Sequence, residues 1–118
     1  MPKLFDSELK IMEVLWTNGN MPAKSISAVL NKTIGWNKNT TYTVIKKCIE
    51  KGALERTEPN FMCHPLVSKE DVQGLEVDEL VDKLFDGSTE MLFASLIGRK
   101  KIPASVIKRL KSIVEEGE

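Results

Sequence analysis

Asn37-Lys38-Asn39-Thr40-Thr41-Tyr42-Thr43-Val44-Ile45-Lys46-Lys47-Cys48-Ile49-Glu50-Lys51-Gly52-Ala53-Leu54-Glu55-Arg56-Thr57 is the stretch on which the fold turns, because its periodicity changes partway along. Val44, Ile45, Cys48 and Ile49 recur along one helical face and predict a helix capped by Asn37 or Asn39 and running through Lys51. Gly52 ends it, with Lys51 in the last turn, where a cation suits the helix dipole. Beyond that glycine, residues 53–57 and 61–66 read as two short strands joined by Glu58-Pro59-Asn60, in which proline presets the turn. Strands this short need helices to lean on.

Upstream, Asp6 or Ser7 can cap a helix whose apolar positions are Leu9, Ile11, Met12, Leu15 and Trp16, closed by Asn18-Gly19-Asn20. Met21 and Pro22 lead into a second helix, about residues 23–31, with Ile26, Val29 and Leu30 on its inner side. Residues 32–36 connect it to the third, with Gly35 as the break. Three helices followed by a hairpin predict a mainly α chain with a winged helix-turn-helix, three helices plus a β-hairpin wing, over residues 1–68. Trp16 and Trp36 are expected as core anchors.

Downstream, helices are expected over about 68–86, 88–97 and 103–114, making residues 69–118 a separate C-terminal helical segment. In the middle one, Met91, Leu92, Phe93, Ala94, Leu96 and Ile97 leave little polar surface, so it needs cover on every side. A second copy of the chain can supply that cover, with packing back on the N-terminal half as the alternative; symmetric dimers are the commonest oligomers, which favours the second copy. The segment is therefore expected to dimerise through Leu80, Leu84, Met91, Leu92, Leu96, Val106 and Leu110.

The 118 residues carry 17 basic and 17 acidic side chains, but their distribution is uneven. Residues 1–67 hold nine Lys/Arg against six Asp/Glu, and residues 68–118 hold eight against eleven. No acid lies between Glu13 and Glu50, whereas Lys24, Lys32, Lys38, Lys46 and Lys47 all do. A phosphate-facing surface has this composition, and so does a solvated lysine face; charge alone does not separate them. The start of the third helix adds a second signal. Three threonines and an asparagine are modest helix formers, but they offer hydroxyls and an amide to phosphates and base edges. The helix N-terminus adds free N–H groups, and Lys46 and Lys47 can reach along a backbone one turn later. Tyr42 fits either beneath such a helix or along a phosphate.

Other functions find less support. No apolar run reaches membrane-spanning length and the start does not read as a signal peptide, so a cytoplasmic protein without membrane insertion is expected, its two cysteines reduced. Cys48, Cys63 and His64 do not supply the closely spaced ligand pairs of a zinc site, so neither a metal nor another cofactor is expected. His64 lacks a Ser or Cys partner at a recognisable spacing, and no enzyme motif emerges. The alternative is a winged helix that binds only protein, without sequence-specific DNA binding; the acid-free lysine tract beside a polar helix start argues against it.

Phe5-Asp6-Ser7-Glu8, the tract from Gly35-Trp36 through Thr40-Thr41-Tyr42-Thr43-Val44-Ile45, and Glu50-Lys51-Gly52-Ala53-Leu54 resemble the penicillinase-repressor family, which includes methicillin-resistance regulators and copper-transport repressors. The resemblance runs over nearly the whole chain. It implies a homodimeric winged-helix repressor on a palindromic double-stranded DNA operator, controlling a resistance operon of the β-lactam type or a transport operon. It implies further that Asn39, Thr40 and Thr43 approach bases or nearby phosphates, that Lys38, Lys46 and Lys47 contact the backbone, and that Arg56 touches the flanking backbone; Thr41 and Tyr42 belong to the same surface. A membrane-bound sensor protease is the upstream partner it suggests. In β-lactam-responsive members an Asn-Phe bond in the dimerisation region is cleaved; within Phe93-Ala94-Ser95-Leu96-Ile97 the matching place holds Ser95-Leu96, which becomes the candidate cleavage region. Copper-responsive members end in a Cys-rich tail. Here the sequence reads Val114-Glu115-Glu116-Gly117-Glu118, so copper sensing by that route is not expected. The wing tip, Pro59-Asn60, replaces the glycine–arginine turn frequent in relatives.

Overall fold

The computed structural model describes residues 2–117. Six helices and a small sheet follow one another as α1 (Asp6–Asn18), β1 (Met21–Pro22), α2 (Ala23–Ile34), α3 (Lys38–Glu50), β2 (Leu54–Thr57), β3 (Met62–Pro65), α4 (Lys69–Leu84), α5 (Thr89–Gly98) and α6 (Ala104–Glu116). The chain forms two compact units, one ending at Glu76 and the other starting at Val77. The division falls inside α4, a little beyond the position expected at residue 68, because Val72 of the first turns of α4 belongs to the core of the first unit.

In that first unit, α1, α2 and α3 pack on one another and on the sheet. Ile11, Met12, Leu15, Ile26, Ile45, Leu54, Cys48 and Cys63 are fully buried at the centre. Both tryptophans lie against this core, half-buried; the indole Nε1 of Trp16 donates to the carbonyl of Val67 at 2.9 Å, which ties α1 to the segment after β3. The hairpin predicted over residues 53–66 is present, with Leu54 opposite Pro65 and Thr57 opposite Met62. This is a winged helix-turn-helix.

Three local expectations are corrected. Met21 and Pro22 do more than lead into α2: they pair antiparallel with β3, Met21 opposite Cys63 and Pro22 opposite Met62, giving the strand order β1-β3-β2. Proline is tolerated because β1 is an edge. Second, α2 runs about a turn past residue 31 and closes at Gly35, whose φ of 74° supplies the left-handed cap. Third, neither Asp6 nor Ser7 caps α1. The N-cap is Phe5, and its own N–H donates to Glu8 Oε1 at 2.7 Å. Of the two candidate caps for α3, Asn37 does it, accepting Thr40 N–H at 2.8 Å.

In the second unit, Ser88 caps α5 by accepting Met91 N–H at 3.1 Å, and Pro103 precedes α6. No residue of α5 or of the described part of α6 is buried. On α4, Val81 is buried, whereas Val77, Leu80 and Leu84 are exposed.

Candidate nucleic-acid interface

Helix α3 has two faces with different chemistry. Thr41, Val44, Ile45 and Cys48, spaced i, i+3, i+4 and i+7, form the buried one. Lys38, Asn39, Thr40, Thr43, Lys46 and Lys47 are all exposed on the rest of the helix. The turn that presents the helix start is fixed at both ends: Asn31 Nδ2 donates to the carbonyl of Trp36 at 3.1 Å, and the Asn37 side chain caps α3. Six polar side chains and the first free N–H groups of a 13-residue helix thus share a surface without a carboxylate until Glu50. Such a surface can hold an anionic polymer and hydrogen-bond to it.

Thr41 leaves this set. It is fully buried, and its Oγ1 donates to the carbonyl of Asn37 at 3.3 Å, so it supports the first turn from beneath and has no access to a ligand. The choice for Tyr42 is also made by packing. Its ring is half-buried and meets Phe61 edge-on, with centroids 5.7 Å apart, while Lys38 Nζ lies 5.7 Å from the centre of the Tyr42 ring itself. Arg56 is exposed on β2, its guanidinium carbon 3.6 Å from the centroid of Phe61 and its Nε 2.6 Å from Glu58 Oε1. Glu58 also accepts Phe61 N–H at 3.2 Å. That backbone bond, and after it the arginine, hold the Glu58 carboxyl below its ordinary pKa.

Beneath the surface, one charged contact locks α3 to the start of α1. Glu8 is 1 % exposed, and its Oε1 lies 2.6 Å from Lys51 Nζ. Lys51 also donates to the carbonyl of Lys3 at 2.8 Å and sits 4.0 Å from the Phe5 ring centroid. Burial alone raises the Glu8 pKa, but the Lys51 hydrogen bond, the Phe5 N–H and the charges of Lys51 and Lys47 together bring it below the ordinary value. The sequence carried a signal for this: Glu8, Ile11, Met12 and Leu15 share the i, i+3, i+4, i+7 spacing of a buried stripe. Phe61 and Glu58 left no comparable pattern.

The two cysteines are core residues. Burial pushes the Cys48 thiol up to about 12, with the Glu8 charge adding to it, and the Cys63 thiol up to about 11. His64 Nε2 and Thr57 Oγ1 are 2.7 Å apart across the hairpin. Among the described residues, no group of three His, Cys, Asp or Glu side chains could hold a metal ion, and no helix is long and apolar enough to cross a membrane.

The residues expected to join two copies lie in a surface that is apolar and open. Leu80, Leu84, Met91, Val106 and Leu110 are exposed, and Leu92 and Leu96 half-buried. In the second unit, Phe93, Ile97, Ile102, Ile107, Leu110 and Val114 line a groove of about 400 Å³. Of these, Leu110 alone belongs to the expected set, and Ile102 comes from the α5–α6 connection. Ser95 and Leu96 are half-buried within α5.

A family model described as penicillinase repressor matches residues 4–116. A curated protein described as a penicillinase repressor, from Bacillus licheniformis, is 23% identical over 118 residues, covering 98% of this chain and 92% of its own length. Among solved structures, the solution structure of the DNA-binding domain of the repressor BlaI superposes with a TM-score of 0.55 at 29% identity, covering 59% of this chain and 88% of that one.

Proposed function

The chain belongs to the penicillinase repressor family and is a transcriptional repressor, and from that premise we propose that it binds a palindromic operator as a homodimer, with α3 of each copy in a major groove. The observation that carries this reading is the outer face of α3: Lys38, Asn39, Thr40, Thr43, Lys46 and Lys47 exposed together on a helix whose other side is locked into the core. Asn39, Thr40 and Thr43 face base edges, the lysines and Arg56 face phosphates, and Tyr42 approaches the backbone only at its rim. Membership of a repressor family disfavours a module that binds protein alone, and supports reading the chain as a regulator in preference to an enzyme. A cytoplasmic location follows from that role.

The second copy covers the apolar surface of α4–α6. Apolar side chains about half exposed over two whole helices are costly in water, and pairing of like surfaces removes them from it. The charge pattern of this half suits self-pairing as well: residues 70–90 hold eight acids and one lysine, whereas residues 91–114 hold six Lys/Arg and no acid.

The regulated genes are those of a β-lactam-type resistance or transport operon, and a membrane-bound sensor protease is the matching source of the signal. Cleavage at Ser95-Leu96 requires local unwinding, because proteases bind extended backbone and this dipeptide lies within α5.

Binding to a duplex containing the protein's own promoter, followed by anisotropy against salt, tests the reading. Three phosphates neutralised per protomer give a log–log slope near −5 for the dimer, so affinity drops about a thousandfold between roughly 50 and 200 mM salt. A chain that stays monomeric and ignores duplex DNA in dilute buffer contradicts the proposal.

A further inference from the structure

Lys38, Tyr42, Phe61, Arg56 and Glu58 form one continuous ladder from the first turn of α3 to the tip of the wing. Lys38 lies over Tyr42, Tyr42 meets Phe61 at an interplanar angle of 86°, Arg56 stacks on Phe61, and Glu58 grips the guanidinium. Phe61 is the rung that joins the two elements. It takes a φ of 50°, which a bulky side chain avoids unless its surroundings hold it there. Those surroundings are visible: the Phe61 carbonyl accepts Ala23 N–H at 2.9 Å, and its N–H donates to Glu58.

On the DNA-binding reading above, we propose that Phe61 is a positioning residue: it fixes the Arg56 guanidinium relative to α3, so that wing and helix engage one duplex in a set register, with Glu58 holding the arginine until a phosphate takes its place. Aromatic planes favour cations over their faces and other rings at their edges, which is the arrangement of Arg56 and Tyr42 about Phe61. An arginine side chain with several rotatable bonds otherwise loses much of its freedom on meeting a phosphate; one held in place beforehand loses less. The exchange of Glu58 for phosphate is a swap of one anion for another at the same guanidinium.

The test is a double-mutant cycle on full-length protein, reading operator affinity and its salt slope. Arg56→Gln is expected to weaken binding about tenfold and to flatten the slope by about 0.9 per protomer, one phosphate contact. Phe61→Leu keeps apolar volume but loses the ring face, so it is expected to flatten the slope similarly, with no further loss once Arg56 is absent. Phe61→Tyr, which restores the ring, is expected to return both readouts to wild-type values. An unchanged slope in Phe61→Leu, or losses that simply add, overturns the proposal. Glu58→Gln, at an exposed position outside the core, supplies an independent arm: affinity should rise severalfold, and the gain should shrink when combined with Arg56→Gln. An equal gain in both backgrounds means that Glu58 acts only as a repelling charge, and the clamp is overturned. Lys47→Ala separates the two levels of inference. If it weakens binding while the cycle is additive, only the role of Phe61 falls; if wild-type protein and Lys47→Ala both ignore the duplex, the DNA-binding reading falls with it.

Discussion

Glu8 is an acid in a position that hydrophobic spacing reserves for an apolar side chain, and its environment makes that placement stable. It accepts from Phe5 N–H and Lys51, so one carboxylate closes the start of α1 and fastens the end of α3. Because its pKa is lowered in the folded protein, the stability it contributes is present above the ordinary value of 4.5 and lost as pH falls through the folded value. Glu8→Gln keeps an acceptor for Phe5 but removes the ion pair. We expect it to cost about 1–3 kcal/mol at neutral pH, with the difference from wild type shrinking in denaturant melts run towards acid. An equal deficit at pH 7 and pH 3 contradicts this account. At the same scale, Thr41 and Thr43 are two residues apart and opposite in role: one is buried under the first turn, the other faces outward.

At the scale of the element, α3 is a rigid platform because its four buried positions, its Asn37 cap and its contact with α1 leave the outer face little freedom. Different outer residues should then fail differently. Thr43→Ala is expected to weaken operator binding by about 1–3 kcal/mol while sparing non-specific duplex, whereas Lys47→Ala weakens both alike. Equal losses on all DNA for both variants remove Thr43 from base readout. The wing is a weaker element, two four-residue strands with a third strand of two residues at its edge.

For the whole molecule, the contrast is between a first unit with a complete core and a second with an open one. A helix such as α5, with a mean composition this apolar and no buried residue, is not a finished structure in water. If two copies pair through α5 as proposed, Leu96→Asp should yield monomers in sedimentation experiments, with the winged helix still folded and operator affinity reduced at least a hundredfold, since a charge would enter the proposed interface and bivalency would be lost. If that variant remains dimeric, the interface lies elsewhere than α5.

Helix positions, the hairpin and the polar start of α3 were legible in the chain itself, because amphipathic period, Gly35, Gly52 and Pro59 act locally and need no knowledge of distant partners. What stayed hidden depends on residues far apart in sequence. The strand at Met21-Pro22 exists only because β3 comes to lie beside it, and a two-residue segment has no period of its own. Local composition likewise made Thr41 look like its neighbours and Tyr42 look undecided; their places were set by the contacts of α3 with α1 and the wing. Periodicity shows which face turns inward, but only the assembled core decides what each inward or edge-lying side chain meets there.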